Sequence, residues 1–186
     1  MKKILLLITL LICSVFSFSQ NKVNFMGIPV EGTLKSVVNK VESKGFNKAS
    51  KEGRFLTGKF GGRPATVYIA SPNDMDMVYA IMVTFDPYNN WKGLYSEYLL
   101  FVKLFTQKYG KCSSASAEFQ PEYEYEGREI QLVENDKSLF ISMWDLDNGF
   151  MSVSITKKCE VELVYYNNIQ YDNIKNKIQQ DILNDI

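Results

Sequence analysis

Apolar residues recur at helical spacing in three segments of the chain. The first has four aliphatic residues on one helical face: Leu34, Val37, Val38 and Val41. The hydroxyl of Thr33 is suited to cap the N-terminus of this helix by accepting a bond from a free backbone N–H. Gly45 is suited to end it, because glycine tolerates the left-handed conformation found after many helices. The pattern predicts a helix over residues 33–44.

The second and third segments are longer. The second carries one apolar stripe, made of Trp91, Leu94, Tyr95, Tyr98, Val102, Phe105 and Tyr109. It predicts a helix over residues 91–109 whose stripe packs on a sheet, in preference to an aromatic face that binds a ligand. The third, at the C-terminus, predicts an amphipathic helix from four residues near i, i+4 spacing: Tyr171, Ile174, Ile178 and Ile182.

Between the helices lie β-branched and aromatic runs separated by turn residues. The four residues Gly61-Gly62-Arg63-Pro64 predict a hairpin turn between strands at 54–60 and 65–70, and the apolar run 77–85 predicts a central strand. Residues 111–127 look irregular. Four further strands are then predicted, with turns at 135–136 and 145–149; they cover residues 128–134, 137–144, 150–156 and 159–166.

Short turns between successive strands imply antiparallel pairing, because parallel strands need a longer crossover. The predicted order of elements is α-βββ-α-ββββ-α. We therefore expect an α+β fold with an antiparallel sheet of about six or seven strands and helices mainly on one face. The helix-then-strands unit occurs twice, which is compatible with a duplicated layout, although the two halves share no visible residue-level similarity.

The N-terminus has the pattern of a bacterial signal peptide. Two lysines precede an apolar stretch, and the small residues Ser17 and Ser19 fit the positions before a signal-peptidase cut. We expect cleavage before Gln20, so that residues 1–19 are removed. Residues 20–186 then form a single α+β domain that works in the periplasm or outside the cell.

Two alternatives remain for this N-terminal segment. An uncleaved membrane anchor needs about 20 apolar residues, and this stretch is shorter and ends in polar residues. Lipidation of Cys13 is the second alternative. A lipidated cysteine normally follows a small residue, whereas Cys13 follows leucine and isoleucine.

Charge and composition narrow the chemistry. The chain has 21 basic residues, 21 acidic residues and no histidine. The neutral balance argues against a nucleic-acid partner, which requires clustered positive charge. The lack of histidine excludes Ser-His-Asp and Cys-His catalytic machinery and histidine-ligated zinc within this chain. The acids are expected in turns and in the segment 118–129, so we predict no enzyme activity and no cofactor.

No metal site is predicted either. Residues 145–149, Asp-Leu-Asp-Asn-Gly, approach the order of a calcium-binding loop. They are one residue short of it, and the closing acid is missing because Thr156 stands at that position. A hairpin turn explains the same residues.

Cys112 and Cys159 are the cysteines that remain after the expected cleavage. An even count in an exported chain predicts a disulfide, here joining the end of the long helix to the last strand. The alternative is two buried free thiols. A redox function is not expected, because the chain contains no Cys-x-x-Cys motif.

The segment from Glu118 to Glu129 alternates acids with aromatic residues. We predict that it binds a partner through five residues: Tyr123, Tyr125, Glu122, Glu124 and Glu126. Tyrosines supply rigid contact area at little entropic cost, and the acids favour a basic or sugar-bearing partner. Two alternatives are a solvated strand face or loop and a pair of carboxylates for glycoside hydrolysis.

Residues 25–33 read Phe-Met-Gly-Ile-Pro-Val-Glu-Gly-Thr and precede a helix that carries Val37 and Val41. This opening resembles small exported domains of the β-lactamase-inhibitor-protein type and the related outer-membrane assembly lipoproteins. The resemblance implies binding rather than catalysis and transfers no functional residue. We expect an exported, non-enzymatic binding or accessory protein of the cell envelope, whose partner is another envelope or secreted macromolecule. The alternative is a carboxylate-dependent hydrolase of cell-wall or extracellular glycans.

Overall fold

The computed structural model describes residues 22–73 and 75–185. Its helices are α1 (Leu34–Glu42), α2 (Trp91–Tyr109), α3 (Glu129–Glu134) and α4 (Asn168–Asp185). Its strands are β1 (Asn24–Phe25), β2 (Ile28–Pro29), β3 (Asn47–Lys48), β4 (Phe55–Phe60), β5 (Arg63–Ala70), β6 (Ala80–Phe85), β7 (Ser114–Phe119), β8 (Ser138–Leu146), β9 (Gly149–Ile155) and β10 (Val161–Asn167). The predicted signal peptide, 1–19, and its cleavage site lie outside the described residues.

Strands β3 to β10 form one antiparallel sheet in the order β3-β4-β5-β6-β10-β9-β8-β7, and β1 and β2 form a separate two-stranded hairpin. This confirms the predicted α+β class and the antiparallel pairing, with eight strands in the main sheet. The run predicted as a central strand is β6. It is shorter than predicted but lies at the centre, paired with both β5 and β10.

The sheet consists of two similar halves that meet at its centre. In each half a helix precedes four strands: α1 precedes β3 to β6, and α2 precedes β7 to β10. The last strands of the two halves, β6 and β10, pair with Leu163 opposite Val83. The order of elements therefore repeats, with α3 inserted between β7 and β8.

Helix α1 follows its sequence signals closely. The Thr33 hydroxyl accepts a hydrogen bond from the backbone N–H of Ser36 at 3.1 Å, and Gly45 adopts a positive φ of 93°. The predicted apolar face is buried through Val37, Val38 and Val41. Helix 33–44 is thus confirmed.

Helix α2 has the predicted bounds, but its buried face is turned slightly from the predicted stripe. Its buried residues are Leu94, Glu97, Tyr98, Phe101 and Phe105. Tyr95 and Val102 are only partly buried. The face packs against the core as expected, and it includes one carboxylate, Glu97, that the stripe omitted.

The core lies between one face of the sheet and the layer formed by α1, α2 and the β1–β2 hairpin. The hairpin contributes Phe25, which stacks on Phe60 at 5.7 Å and meets Tyr165 edge-on at 5.4 Å. Phe101 of α2 stacks on Phe85 of β6 at 4.8 Å. These contacts join both halves of the sheet through a single apolar cluster.

Helix α4 starts on the opposite face of the sheet. Its Tyr171 contacts Tyr166 of β10 at 5.6 Å, and Tyr166 points away from the core because side chains alternate along a strand. Of the predicted stripe, Ile174 is buried, whereas Ile178 and Ile182 are exposed. The helix is present as predicted, but every side chain from 175 to 184 is exposed. Among the described residues, no helix is both long and apolar enough to cross a membrane.

Two predictions between α2 and β8 are wrong. The segment 111–127, predicted as irregular, contains β7, which pairs with β8 along its whole length. The segment 128–134, predicted as a strand, holds the short helix α3. Its neighbouring residues Leu132 and Val133 are both buried, and two successive residues of a strand would point to opposite faces.

The disulfide predicted between Cys112 and Cys159 is absent, and both thiols are free. Cys112 follows the C-terminal end of α2. The carbonyl of Cys159 accepts a hydrogen bond from Tyr88 at 2.9 Å, just before the N-terminal end of the same helix. A helix of nineteen residues is about 28 Å long, whereas a disulfide requires Cα atoms within about 7 Å. An even number of cysteines carries no information about the distance between them in the fold.

Candidate functional site

The loop between β7 and α3 lies against the first turns of α2 and forms a groove with it. The groove has a volume of about 430 Å³ and is lined mostly by aromatic rings. These rings come from three elements and the loop: Trp91 and Tyr95 from α2, Phe119 from β7, Phe140 from β8, and Tyr123 and Tyr125 from the loop. The aromatic groove is defined by these six residues.

The rings form two stacked pairs around a buried floor. Trp91 and Tyr95 are one helical turn apart and stack at 4.9 Å, while Phe119 and Tyr125 stack at 5.3 Å. Phe140 is buried and meets Trp91 at 5.0 Å and Phe119 at 5.2 Å with its edge. Edge-on and offset contacts of this kind favour a fixed ring arrangement. The ring contacts therefore fix both walls of the groove, the one from α2 and the one from β7 and the loop.

Carboxylates surround the aromatic groove. Glu118 lines it directly, and Glu124 and Glu126 line an adjoining depression of about 1010 Å³ together with Tyr123 and Tyr125. Glu122 is exposed on the same loop. Within the described part of the chain none of these four carboxylates forms an ion pair. The rim is thus negatively charged.

Two cations lie near the rim without pairing to it. Arg128 lines the adjoining depression. Lys137 places its Nζ atom 5.5 Å from the centre of the Tyr123 ring. This contact shows that an aromatic ring of the loop already accepts a cation over its face.

Four of the five predicted partner-binding residues therefore line one depression, and Glu122 is exposed beside it. The sequence reasoning missed the wall that α2 supplies, because Trp91 and Tyr95 were assigned to the apolar stripe that packs on the sheet. Both are only partly buried. Their position at the N-terminal end of the stripe, next to the turn residues 86–90, was the available signal for exposure.

A second cavity lies at the opposite side of α2 and holds an ion pair whose carboxylate is buried. Its volume is about 310 Å³, and its lining includes Arg63, Asp86, Tyr88 and Glu97. The Glu97 carboxylate is buried and pairs with the Arg63 guanidinium. The expectation that the acids of this chain lie in turns and in the segment 118–129 is therefore wrong for Glu97.

Local structure explains how Arg63 reaches Glu97. Gly61 and Gly62 have φ values of 58° and 82°, as a tight two-residue hairpin requires. This turn sets Arg63 opposite Phe60 in the β4–β5 register. Since the side chain of Phe60 packs in the core, Arg63 points to the same side and meets α2. The sequence signal for Glu97 was an acid placed three residues after Leu94 within an apolar helix.

A third depression, of about 470 Å³, lies on the sheet face opposite the core. Phe55, Tyr68 and Met82 line it together with Glu162. Burial, together with the nearby Glu160, raises the pKa of the Glu162 carboxyl above its ordinary value. A partly apolar surface with a partly buried acid makes this face a weaker candidate than the aromatic groove.

A hairpin turn lies within the predicted segment 145–149, but it is shorter than predicted, because Asp145 and Leu146 end β8 and Gly149 begins β9. Asp147 and Asn148 connect β8 to β9, and Asn148 is tied inward because its Oδ1 accepts a hydrogen bond from the backbone N–H of Val23 at 2.7 Å. Among residues 22–73 and 75–185, no three histidine, cysteine or acidic side chains converge as metal ligands would.

The segment 25–33 begins in β1 and ends at the residue that caps α1. It therefore has the apolar start and the capped helix on which its resemblance to the β-lactamase-inhibitor-protein type was based. That resemblance stays a prediction, since the chain matches no protein-family model, no curated protein and no solved structure.

Proposed function

We propose that this chain is an exported, non-enzymatic binding protein of the bacterial cell envelope. Its binding site is the aromatic groove, and its ligand is a basic segment of another envelope or secreted macromolecule. The observation that carries the proposal is the placement of two stacked aromatic pairs beside four carboxylates that pair with no cation of residues 22–73 and 75–185.

The chemistry of the groove favours a cation over a neutral ligand. A lysine or arginine head over a tryptophan or tyrosine face gains about 0.5–2 kcal/mol, the larger value applying where water is excluded. Nearby carboxylates add attraction and raise the association rate of a basic partner. Tyr125 leaves 56% of its surface exposed, so a large ring is available for such a contact.

Export is supported by the lysines, the apolar stretch and the small residues at the N-terminus. The test is intact-mass analysis of protein purified from the native host. A mature N-terminus at Gln20 supports export. A chain that retains Met1, or a lipid on Cys13, contradicts cleavage before Gln20.

Trp91 offers a direct test of the groove. It lines the groove, whereas the chain's other tryptophan, Trp144, is buried in the core. We expect its fluorescence to change saturably on titration with a blocked peptide of alternating lysine and valine. A peptide with glutamate in place of lysine should give no response. A response to a chitin tetrasaccharide alone would replace the basic ligand with a sugar.

Matched variants locate the binding. Tyr125→Ala should weaken binding of the basic peptide about tenfold, the equivalent of a desolvated cation–π contact. Glu124→Gln should weaken it less and reduce its salt dependence. Glu31→Gln removes an exposed acid far from the groove along the chain and serves as the control. Equal affinity in all three variants would remove the groove from the proposal.

A hydrolase is the second candidate function, and the cavity beside the Arg63–Glu97 ion pair is the observation in its favour. Asp86 and Glu97 line it together, and glycoside hydrolases use two carboxylates in different environments. The test is release of reducing ends from cell-wall glycan by purified protein. Turnover that disappears in a folded Glu97→Gln variant supports the hydrolase, and absence of turnover in the unchanged protein contradicts it.

A further inference from the structure

One edge of the eight-stranded sheet is open. Strand β7 is the last in the order and, among the residues that the structure describes, pairs only with β8. The backbone N–H of Gln120 donates to the carbonyl of Lys137 at 3.0 Å. In an antiparallel pair, backbone groups face the neighbouring strand at every second residue. Ala115, Ala117 and Phe119 therefore direct their backbone N–H and C=O groups away from the sheet.

Edge strands are usually protected by proline, several charges, a bulge or very short length, and β7 itself contains neither proline nor several charges. Strand β7 has six residues, Ser-Ala-Ser-Ala-Glu-Phe, with one charge. The strand at the other edge, β3, has only two residues. The two edges differ, and only β7 offers a ladder long enough for a further strand.

The open edge leads directly into the aromatic groove. Ala117, Glu118 and Phe119 of β7 are themselves part of the groove lining. A strand laid beside β7 has side chains on alternate faces, spaced about 6.8 Å apart on each face. Every second side chain of such a strand would point to the face on which the rings of Trp91 and Tyr95 lie.

We propose that an extended segment of the partner pairs with β7 as a ninth strand and places a lysine or arginine side chain in the aromatic groove. This inference rests on the proposed function and names its partner class as an extended basic peptide. Backbone pairing supplies affinity and the alternate side chains supply specificity in this mode of recognition.

Charge argues against a second copy of this chain as the added strand. Pairing of β7 with its own copy would bring two Glu118 side chains and two loops rich in glutamate to one edge. Like charges facing across strands are unfavourable. A basic segment removes that repulsion and meets four carboxylates, namely Glu118, Glu122, Glu124 and Glu126.

The experiment removes one backbone N–H group of β7 that points away from the sheet. Ala117→Pro deletes a donor that faces away from β8, so the β7–β8 ladder keeps its hydrogen bonds. We expect this variant to bind the blocked lysine–valine peptide about tenfold more weakly. Ala117→Val keeps the N–H and controls for added bulk at this groove position, so the loss due to the missing N–H is the difference in affinity between the proline and valine variants. Equal affinity of the proline and valine variants would overturn the ninth strand.

A second measurement needs no variant that could fail to fold. Hydrogen exchange with the bound peptide should protect the amides of Ala115, Ala117 and Phe119. The same peptide N-methylated at alternate residues should lose both the binding and the protection. If the methylated peptide binds equally well, strand pairing is wrong while the proposed function stands.

A smaller probe distinguishes failure of the strand pairing from failure of the proposed function. N-acetyl-lysine methylamide carries the cation but cannot add a strand of useful length. A saturable Trp91 response to this probe, with no amide protection by the peptide, supports the groove and overturns strand addition. No response to either the probe or the peptide overturns both proposals.

Discussion

Arg63 of β5 and Glu97 of α2 form an ion pair in which the carboxylate side chain is 4% exposed and the arginine side chain is 41% exposed. The pair links the end of the β4–β5 hairpin to the long helix. Removing one partner would leave the other charge without compensation, and at Glu97 that charge is buried. The buried charge of Glu97 is therefore compensated only while Arg63 is present.

Arg63→Ala should lower the free energy of unfolding by about 3–5 kcal/mol, because it leaves the buried Glu97 carboxylate unpaired. The double variant with Glu97→Leu should recover part of that loss, since no isolated charge remains. Urea denaturation of the single and double variants measures both. The exposed pair of Lys48 and Glu42 is the control, where Lys48→Ala should cost less than about 1 kcal/mol.

Phe105→Ala should lower the free energy of unfolding by about 3–5 kcal/mol through loss of a buried ring. Phe105 is 7% exposed and contacts Trp144 at 5.6 Å and Tyr165 at 6.3 Å. Its neighbour Leu104 is 44% exposed, so Leu104→Ala should have little effect. Thermal unfolding compares the two. A Phe105 variant that keeps its melting temperature but loses a ligand would make this ring part of a site.

Glu162→Gln should stabilise the protein at pH 7. Burial raises the pKa of Glu162 in the folded state, so the folded protein holds this proton more tightly than the unfolded chain does. The resulting stability is present at acid pH and is lost as pH rises through the folded-state pKa. The gain from glutamine should therefore vanish in acid, below the ordinary pKa of a glutamate. Denaturant midpoints at several pH values measure it, and an unchanged midpoint at pH 7 contradicts it.

Alkali should destabilise the protein through Tyr166. Burial, together with Tyr171 and Tyr79 nearby, raises the pKa of Tyr166 to about 12. The folded state keeps the phenol protonated beyond the ordinary value, so its stability contribution is full below about pH 10 and lost as pH rises through about 12. Tyr166→Phe should lessen this loss. Absorbance titration of the phenolates and unfolding curves between these pH values test it.

The elements predicted correctly are those with strong local signals. Helix α1 has a capping threonine and three buried valines, and the β4–β5 hairpin has two glycines that fit its turn. Both depend on residues close in the chain. Strand β7 has no apolar alternation, because an edge strand with small side chains is held mainly by its backbone pairing with β8. Its order of residues therefore carried no strand signal.

The missed parts of the site depend on contacts between distant segments. Ile130 and Leu132 are two positions apart, as apolar residues of a strand are. The fold also buries Val133 next to Leu132, which the helix α3 allows and a strand would not. The acidic loop was recognisable from its composition, whereas its aromatic wall on α2 comes from a segment about thirty residues earlier. Glu97 was missed for the same reason, since a buried acid is acceptable only when a partner such as Arg63 arrives from elsewhere.

The meeting of β6 and β10 at the centre of the sheet determines what the chain exposes while it is being made. β6 belongs to the first half, but its partner on one side is the last strand of the second half. A growing chain that has completed β6, Ala-Ile-Met-Val-Thr-Phe, can pair it with β5, but the other edge of this apolar strand has no partner yet and is free to join other chains. The newly synthesised protein thus exposes an aggregation-prone strand edge until its final strand has emerged.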